Sequence, residues 1–149
     1  MQSRILWVLS ALALGAILPT QAAINARLAR AVGNPVYSAF ISFAVGTVAL
    51  LAYLLATRQL NLQSIRPAEN PWWIWTGGLL GTFFVAGIVI LMPRLGVLFA
   101  FSLVIAGQMI ASILFDQFGW LGVAVREISW GKAAGVLLLV AGVVLVRKY

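Results

Sequence analysis

The sequence predicts an all-α, polytopic membrane protein of five transmembrane helices, and three observations carry that prediction. Of its 149 residues, 63% are hydrophobic and 9% charged, far from the roughly 25% charged content of soluble domains. Five apolar stretches are each close to the ~20 residues that a helix needs to cross a ~30 Å hydrocarbon core. Strands of a membrane barrel are shorter and alternate in polarity. Lys and Arg, finally, divide evenly between the two sides that five spans define. The side holding the N-terminus has Arg4, Arg58, Arg66, Arg126 and Lys132; the other has Arg27, Arg30, Arg94, Arg147 and Lys148. An excess of Lys and Arg on one side normally selects how a helical protein inserts. A balanced distribution points to insertion both ways and to an antiparallel pair as the working unit.

The spans follow in order as a single transmembrane domain over residues 1–149. The first covers about 5–25; its apolar run passes Pro19 without a clear cleavage site, so it reads as a full span and not as a signal peptide. Residues 26–34 carry Arg27 and Arg30 as a short connection. Gly33 marks a turn, and Asn34-Pro35 opens the second span, 35–56, with the proline suited to a first helical turn. Residues 57–70 form the one sizeable polar loop. The third span, 72–92, opens on Pro71-Trp72-Trp73. Only Pro93-Arg94 separates it from the fourth, 95–115, which predicts a tight hairpin. A loop rich in glycine leads to the fifth span, 130–146. Lys132 lies one turn inside it, where its stem can snorkel to the interface. Trp72, Trp73, Trp75, Trp120 and Trp130 fall near span ends, where such rings favour the headgroup layer.

The formal charge of +7 comes from cations scattered singly or in pairs, without the patch that nucleic-acid binding needs; contact with membrane lipids is the expected role. The chain has no Cys and no His, which removes disulfides, thiolate nucleophiles, Cys/His metal sites and histidine relays. No nucleotide loop, metal-ligand cluster or nucleophile motif appears, and Glu69, Asp116 and Glu127 are dispersed. The chain is therefore read as a non-enzyme requiring no cofactor or metal.

Polar side chains within spans are costly in lipid and normally face a bundle interior or a wet cavity. On span four, Gln108, Ser112 and Asp116 are spaced four apart and share one helix face. Asp116, at the span's end, has two readings: a coupling carboxylate, or a helix-end group meeting water or Arg126. On span one, Gln21 and Asn25 form a similar pair after Pro19, whose ring leaves a carbonyl unpaired near Gly15 and Ala16. Such a break can supply backbone ligands, although Gln and Asn also hydrogen-bond across helix interfaces. Small residues mark places where helices approach: Gly77 and Gly81 in span three, and Ala134, Gly135, Ala141 and Gly142 in span five. The last stripe is a candidate dimer contact through Gly135 and Gly142, or a packing face within one subunit.

Helix order and local motifs resemble the drug/metabolite transporter superfamily, in particular its five-helix, YdcZ-type branch of inner-membrane exporters. The resemblance spans nearly the whole chain. It is carried by Pro19-Thr20-Gln21-Ala22-Ala23-Ile24-Asn25, by Gly77-Gly78-Leu79-Leu80-Gly81, by Gly107-Gln108, and by Phe115-Asp116-Gln117-Phe118-Gly119. It implies a half-transporter that pairs with an inverted second half in the inner membrane. The chain departs from the four-helix multidrug branch, because Gln21 stands where that branch carries a membrane-embedded Glu.

These readings combine into a secondary transporter of a small polar metabolite, an exporter working by alternating access as a dual-topology homodimer. Gln21 and Gln108 orient the substrate, Ser112 adds a hydroxyl, Asn25 and Asp116 lie toward the cavity mouths, and Pro19 lets span one flex. A dual-topology ion channel and a non-transporting partner subunit of a heteromeric transporter are the alternatives.

Overall fold

A computed structural model describes residues 2–149, with side chains from Arg4 onward. It contains five helices long and apolar enough to cross a membrane, and no strand among the described residues. They are α1 (Gln2–Val32), α2 (Pro35–Ala56), α3 (Gly77–Leu95), α4 (Val97–Phe118) and α5 (Trp130–Lys148). Two compact units result, one running to Arg94 and the other covering Leu95–Tyr149.

In the first unit, α1 continues past Asn25 through the segment expected to be a connection. Ala26, Leu28, Ala29 and Ala31 are strong helix formers, and nothing interrupts them until Gly33, whose φ of 73° ends the helix. Pro19 lies inside α1, which runs on past it; the expected break is absent. Asn34 then caps α2, its side-chain oxygen accepting from the Val36 N–H (2.8 Å) and the Tyr37 N–H (3.0 Å), with Pro35 in the first turn. Two residues thus join two long antiparallel helices.

The α1–α2 hairpin seals with small side chains. Ala22, Asn25, Ala26 and Ala29 are buried on one face of α1, at the spacing that returns to a single side of a helix. Ser38 and Ala39 of α2 are fully buried. The Ser38 hydroxyl donates to the Asn25 backbone carbonyl at 2.7 Å, a bond that needs close backbone approach.

The loop after α2 holds short 3-10 turns and an exposed Arg66–Glu69 ion pair of 3.1 Å. Residues 72–76, expected to begin span three as α-helix, form a further 3-10 turn before α3. Pro93 lies inside the last turn of α3 instead of beyond it; so near the end, its missing N–H forfeits one helical bond. Of the two glycines in the G-x-x-x-G pair, Gly81 meets a neighbour: a Cβ there would lie 3.3 Å from the Phe43 ring, whereas Gly77 faces open space.

In the second unit, Gly96 (φ 79°) is the one residue between α3 and α4. Helix α4 extends to Phe118 and stops at Gly119, which is left-handed (φ 63°) and donates its N–H to the Phe115 carbonyl. A side chain at Gly119 would meet Val125 at 2.8 Å. The connector folds back on α4: the Arg126 N–H donates to the Asp116 backbone carbonyl (2.8 Å), and the Ile128 N–H to Gln117 Oε1 (3.1 Å). Ser129 caps α5 by accepting from the Lys132 N–H at 3.3 Å. No described residue of α5 is buried.

Candidate functional site

Each unit carries a groove built by its own helix pair. Between α1 and α2 lies a groove of about 380 Å³ whose polar lining is Thr20, Gln21, Asn25 and Ser42. An adjoining space of about 220 Å³ shares Gln21 and Ser42 and adds Thr47. Neither lining includes an ionisable side chain. Two of the sequence-predicted residues, Gln21 and Asn25, therefore meet in one place, but in different environments.

Gln21 is exposed to the groove, whereas Asn25 is only 3% exposed. The amide nitrogen of Asn25 is buried without a hydrogen-bond partner. An unsatisfied buried donor costs about 1–3 kcal/mol, so this group sits in an unfavourable state within an otherwise well-sealed contact. The sequence left Asn25 two readings, a group at the cavity mouth or a side-chain bridge between helices. The bridge is made instead by Ser38 to the Asn25 main chain. Thr20 Oγ1 donates to the Ala16 carbonyl at 2.9 Å, so one of the carbonyls expected to be free beside Pro19 is engaged by a hydroxyl. The carbonyl of Gly15 still lacks the N–H that residue 19 would supply in any other residue.

The sequence reasoning missed Ser38 and Ser42. Their signal was available: Ser38, Ser42 and Gly46 recur every four residues on α2, a stripe of small and hydroxyl side chains equivalent to those weighed on the other spans.

The α4–α5 groove is chemically different. About 370 Å³ in volume, it is lined by Ser112 and Asp116 of α4 and by Lys132 and Gly135 of α5, over a floor including Met109 and Leu139. Lys132 Nζ lies 3.6 Å from Asp116 Oδ2 and donates to the Glu127 carbonyl at 3.1 Å. Asp116 thus pairs with Lys132, and Arg126 meets it through the backbone alone. Lys132, in the first turn of α5, reaches this pair with its side chain still 41% exposed. The Ser112 hydroxyl is spent on the Gln108 carbonyl at 2.7 Å. Gln108 itself is exposed and does not line this groove, so the predicted three-residue stripe contributes two members. Gly135 lines this groove and Gly142 its continuation, of about 220 Å³.

The geometry holds polar grooves between membrane-length helices, an arrangement suited to holding solutes or lipids. The model of the family described as "Putative inner membrane exporter, YdcZ" matches residues 6–145. The chain belongs to this family. Over 77 residues it is 34% identical to the Inner membrane protein YdcZ of Escherichia coli (strain K12), covering 52% of this chain and 51% of that protein. The chain thus spans about half the length of the curated relative it matches. No solved structure matches. Membership in the YdcZ family together with five spans makes this a multi-pass protein of the inner membrane.

Proposed function

We propose that this YdcZ-family protein is a secondary transporter that exports a small, polar, uncharged or zwitterionic metabolite, working by alternating access as an antiparallel homodimer. The observation that carries the reading is the α1–α2 groove. Its polar lining contains no ionisable group, and beside it stands a buried amide donor with no partner. A solute carbonyl or carboxylate reaching Asn25 as the hairpin opens relieves that deficit, so binding and movement of α1 against α2 are coupled. Such differential contact between two states is what alternating access requires. The even distribution of Lys and Arg supports dual insertion, and a second, inverted copy supplies the inverted repeat on which transporters of this kind are built. Pro19, with its missing hydrogen bond, is the place in α1 where bending costs least.

The decisive variant is Asn25→Leu, similar in volume but without the amide. Removing an unsatisfied buried donor is expected to raise thermal stability, while flux of a solute found by thermal-shift screening of a metabolite library falls at least about tenfold, the scale of one lost hydrogen bond to a charged group. Gln21→Ala should lower flux with stability little changed. Unchanged flux in both folded variants removes this groove from the transport path. For topology, reporters active on only one side of the membrane are fused at Tyr149; activity on a single side rules out the antiparallel homodimer.

A further inference from the structure

We propose that the α4–α5 groove is a phospholipid site, selective for a headgroup that carries a primary ammonium beside its phosphate, with one acyl chain lying along the helix pair. The polar end of the groove is the Asp116–Lys132 pair. At 3.6 Å it is longer than the 2.7–2.9 Å of a closed charge-assisted bond, and the two side chains are 36% and 41% exposed. Both charges are reachable. Lys132 spends one N–H on the Glu127 carbonyl, which leaves donors for an incoming oxygen. An ammonium placed on Asp116 and a phosphate on Lys132 form an alternating array with no net charge. A purely anionic headgroup satisfies only Lys132 and meets Asp116 as a like charge.

The level in the membrane is right for a headgroup. Asp116 is in the last turn of α4 and Lys132 in the first turn of α5. Trp120 stacks on Phe118 at that end, and Trp130 is 93% exposed, as expected of rings in the headgroup layer. Below the charges the lining is apolar apart from the Ser112 and Ser102 hydroxyls, which donate to the Gln108 and Leu98 carbonyls of their own helix. The groove passes Met109, Ile113 and Leu139, and its continuation shares Leu139 and runs on past Ile105, Gly142 and Val146. From residue 132 to 146 the helical rise is about 21 Å, more than the ~15 Å of one leaflet, so an acyl chain has a continuous apolar track. At Gly142 a Cβ would meet nothing within 4 Å, so the track is open there. On this proposal Gly135 and Gly142 face a lipid chain in place of the partner helix expected from the sequence.

The test uses full-length protein, delipidated in detergent, with thermal unfolding and native mass spectrometry in the presence of three dioleoyl lipids. Phosphatidylethanolamine is expected to raise Tm and to remain bound. Phosphatidylcholine, whose quaternary ammonium has no N–H, and phosphatidylglycerol, which has no ammonium, should be retained about threefold to tenfold less, the range for an exposed charged hydrogen bond. Asp116→Asn should erase the preference, whereas Lys132→Gln, which removes the contact to the phosphate that all three share, and Gly142→Leu should each lower retention of all three lipids. Equal retention of the three by the unaltered protein overturns the headgroup assignment, whether or not the variants fold. Efficient crosslinking of two copies through a cysteine placed at 142, in a chain that otherwise has none, overturns the site by giving the groove to a second subunit. The readout is lipid retention, so it succeeds or fails independently of solute transport.

Discussion

The α1–α2 and α4–α5 hairpins are both pairs of membrane-length helices, yet they are held together in different ways. The first is joined by two residues and seals with Ala22, Ala26, Ala29, Ser38 and Ala39, so its backbones approach closely enough for Ser38 to reach the Asn25 carbonyl. The second is joined by the connector 119–129, buries nothing of α5, and is tied at one end by Asp116 and Lys132. Close packing in lipid comes from small side chains and van der Waals contact, since apolar burial drives little there. A tight hairpin can therefore enclose an unpaired amide, whereas a loose one leaves an open apolar groove. The first is suited to a two-state element and the second to a resident ligand.

Overfilling the tight seal should produce the largest effect. Ala39 is 0% exposed, and Ala39→Leu is expected to cost about 1–3 kcal/mol or more through overpacking, read as a large drop in Tm. Ala134→Leu, at an exposed position of α5, where no residue is buried, should change Tm little; equal losses at the two positions would dissolve the contrast between hairpins.

Next in size is Gly119→Ala. A left-handed φ costs a residue with a Cβ about 1–2 kcal/mol, and here the added carbon also meets Val125 at 2.8 Å. The expected damage is confined to the second unit, visible as faster proteolysis in the 119–129 connector with the α1–α2 hairpin still protected.

The caps offer a finer comparison. Asn34 accepts two backbone bonds, at 2.8 and 3.0 Å, whereas Ser129 accepts one at 3.3 Å. Asn34→Ala should cost about 1 kcal/mol and Ser129→Ala a fraction of that, measured by unfolding of the same preparation. Smallest of all, Asp116→Asn should move stability by less than about 1 kcal/mol, because exposed ion pairs contribute little. A loss several times larger would make the pair a structural clamp and the two hairpins alike.

Much of the architecture was legible in the chain. Span number followed from hydropathy, and Gly33 with Asn34-Pro35 announced their turn through the backbone chemistry of single residues, whereas the stop at Gly119, beyond the expected end of span four, was not read. Where the reading failed, a local rule met a competing local preference. Residues 26–34 read as a connection carrying Arg27 and Arg30, but the alanines and leucine of 26–32 favour helix and no breaker precedes Gly33. Trp72–Thr76 looked apolar enough for α-helix and formed a 3-10 turn, a distinction that hydropathy does not encode.

The candidate sites divide the same way. Sequence alone determined that Gln21, Asn25 and Ser112 lie on helix faces within membrane spans and Asp116 at a span's end, that the α1–α2 segment is free of acids, and that the chain carries the motifs of the YdcZ family. Only the tertiary structure decided that Asn25 is buried and unpaired while Gln21 is exposed to the groove, that Ser42 joins them, and that Asp116 meets Lys132 and not the side chain of Arg126. Hydropathy and spacing are sums along one chain segment, so they report which residues share a face. Burial and pairing depend on which side chains the opposing helix presents at that height, and that is set by close approach between segments far apart in sequence.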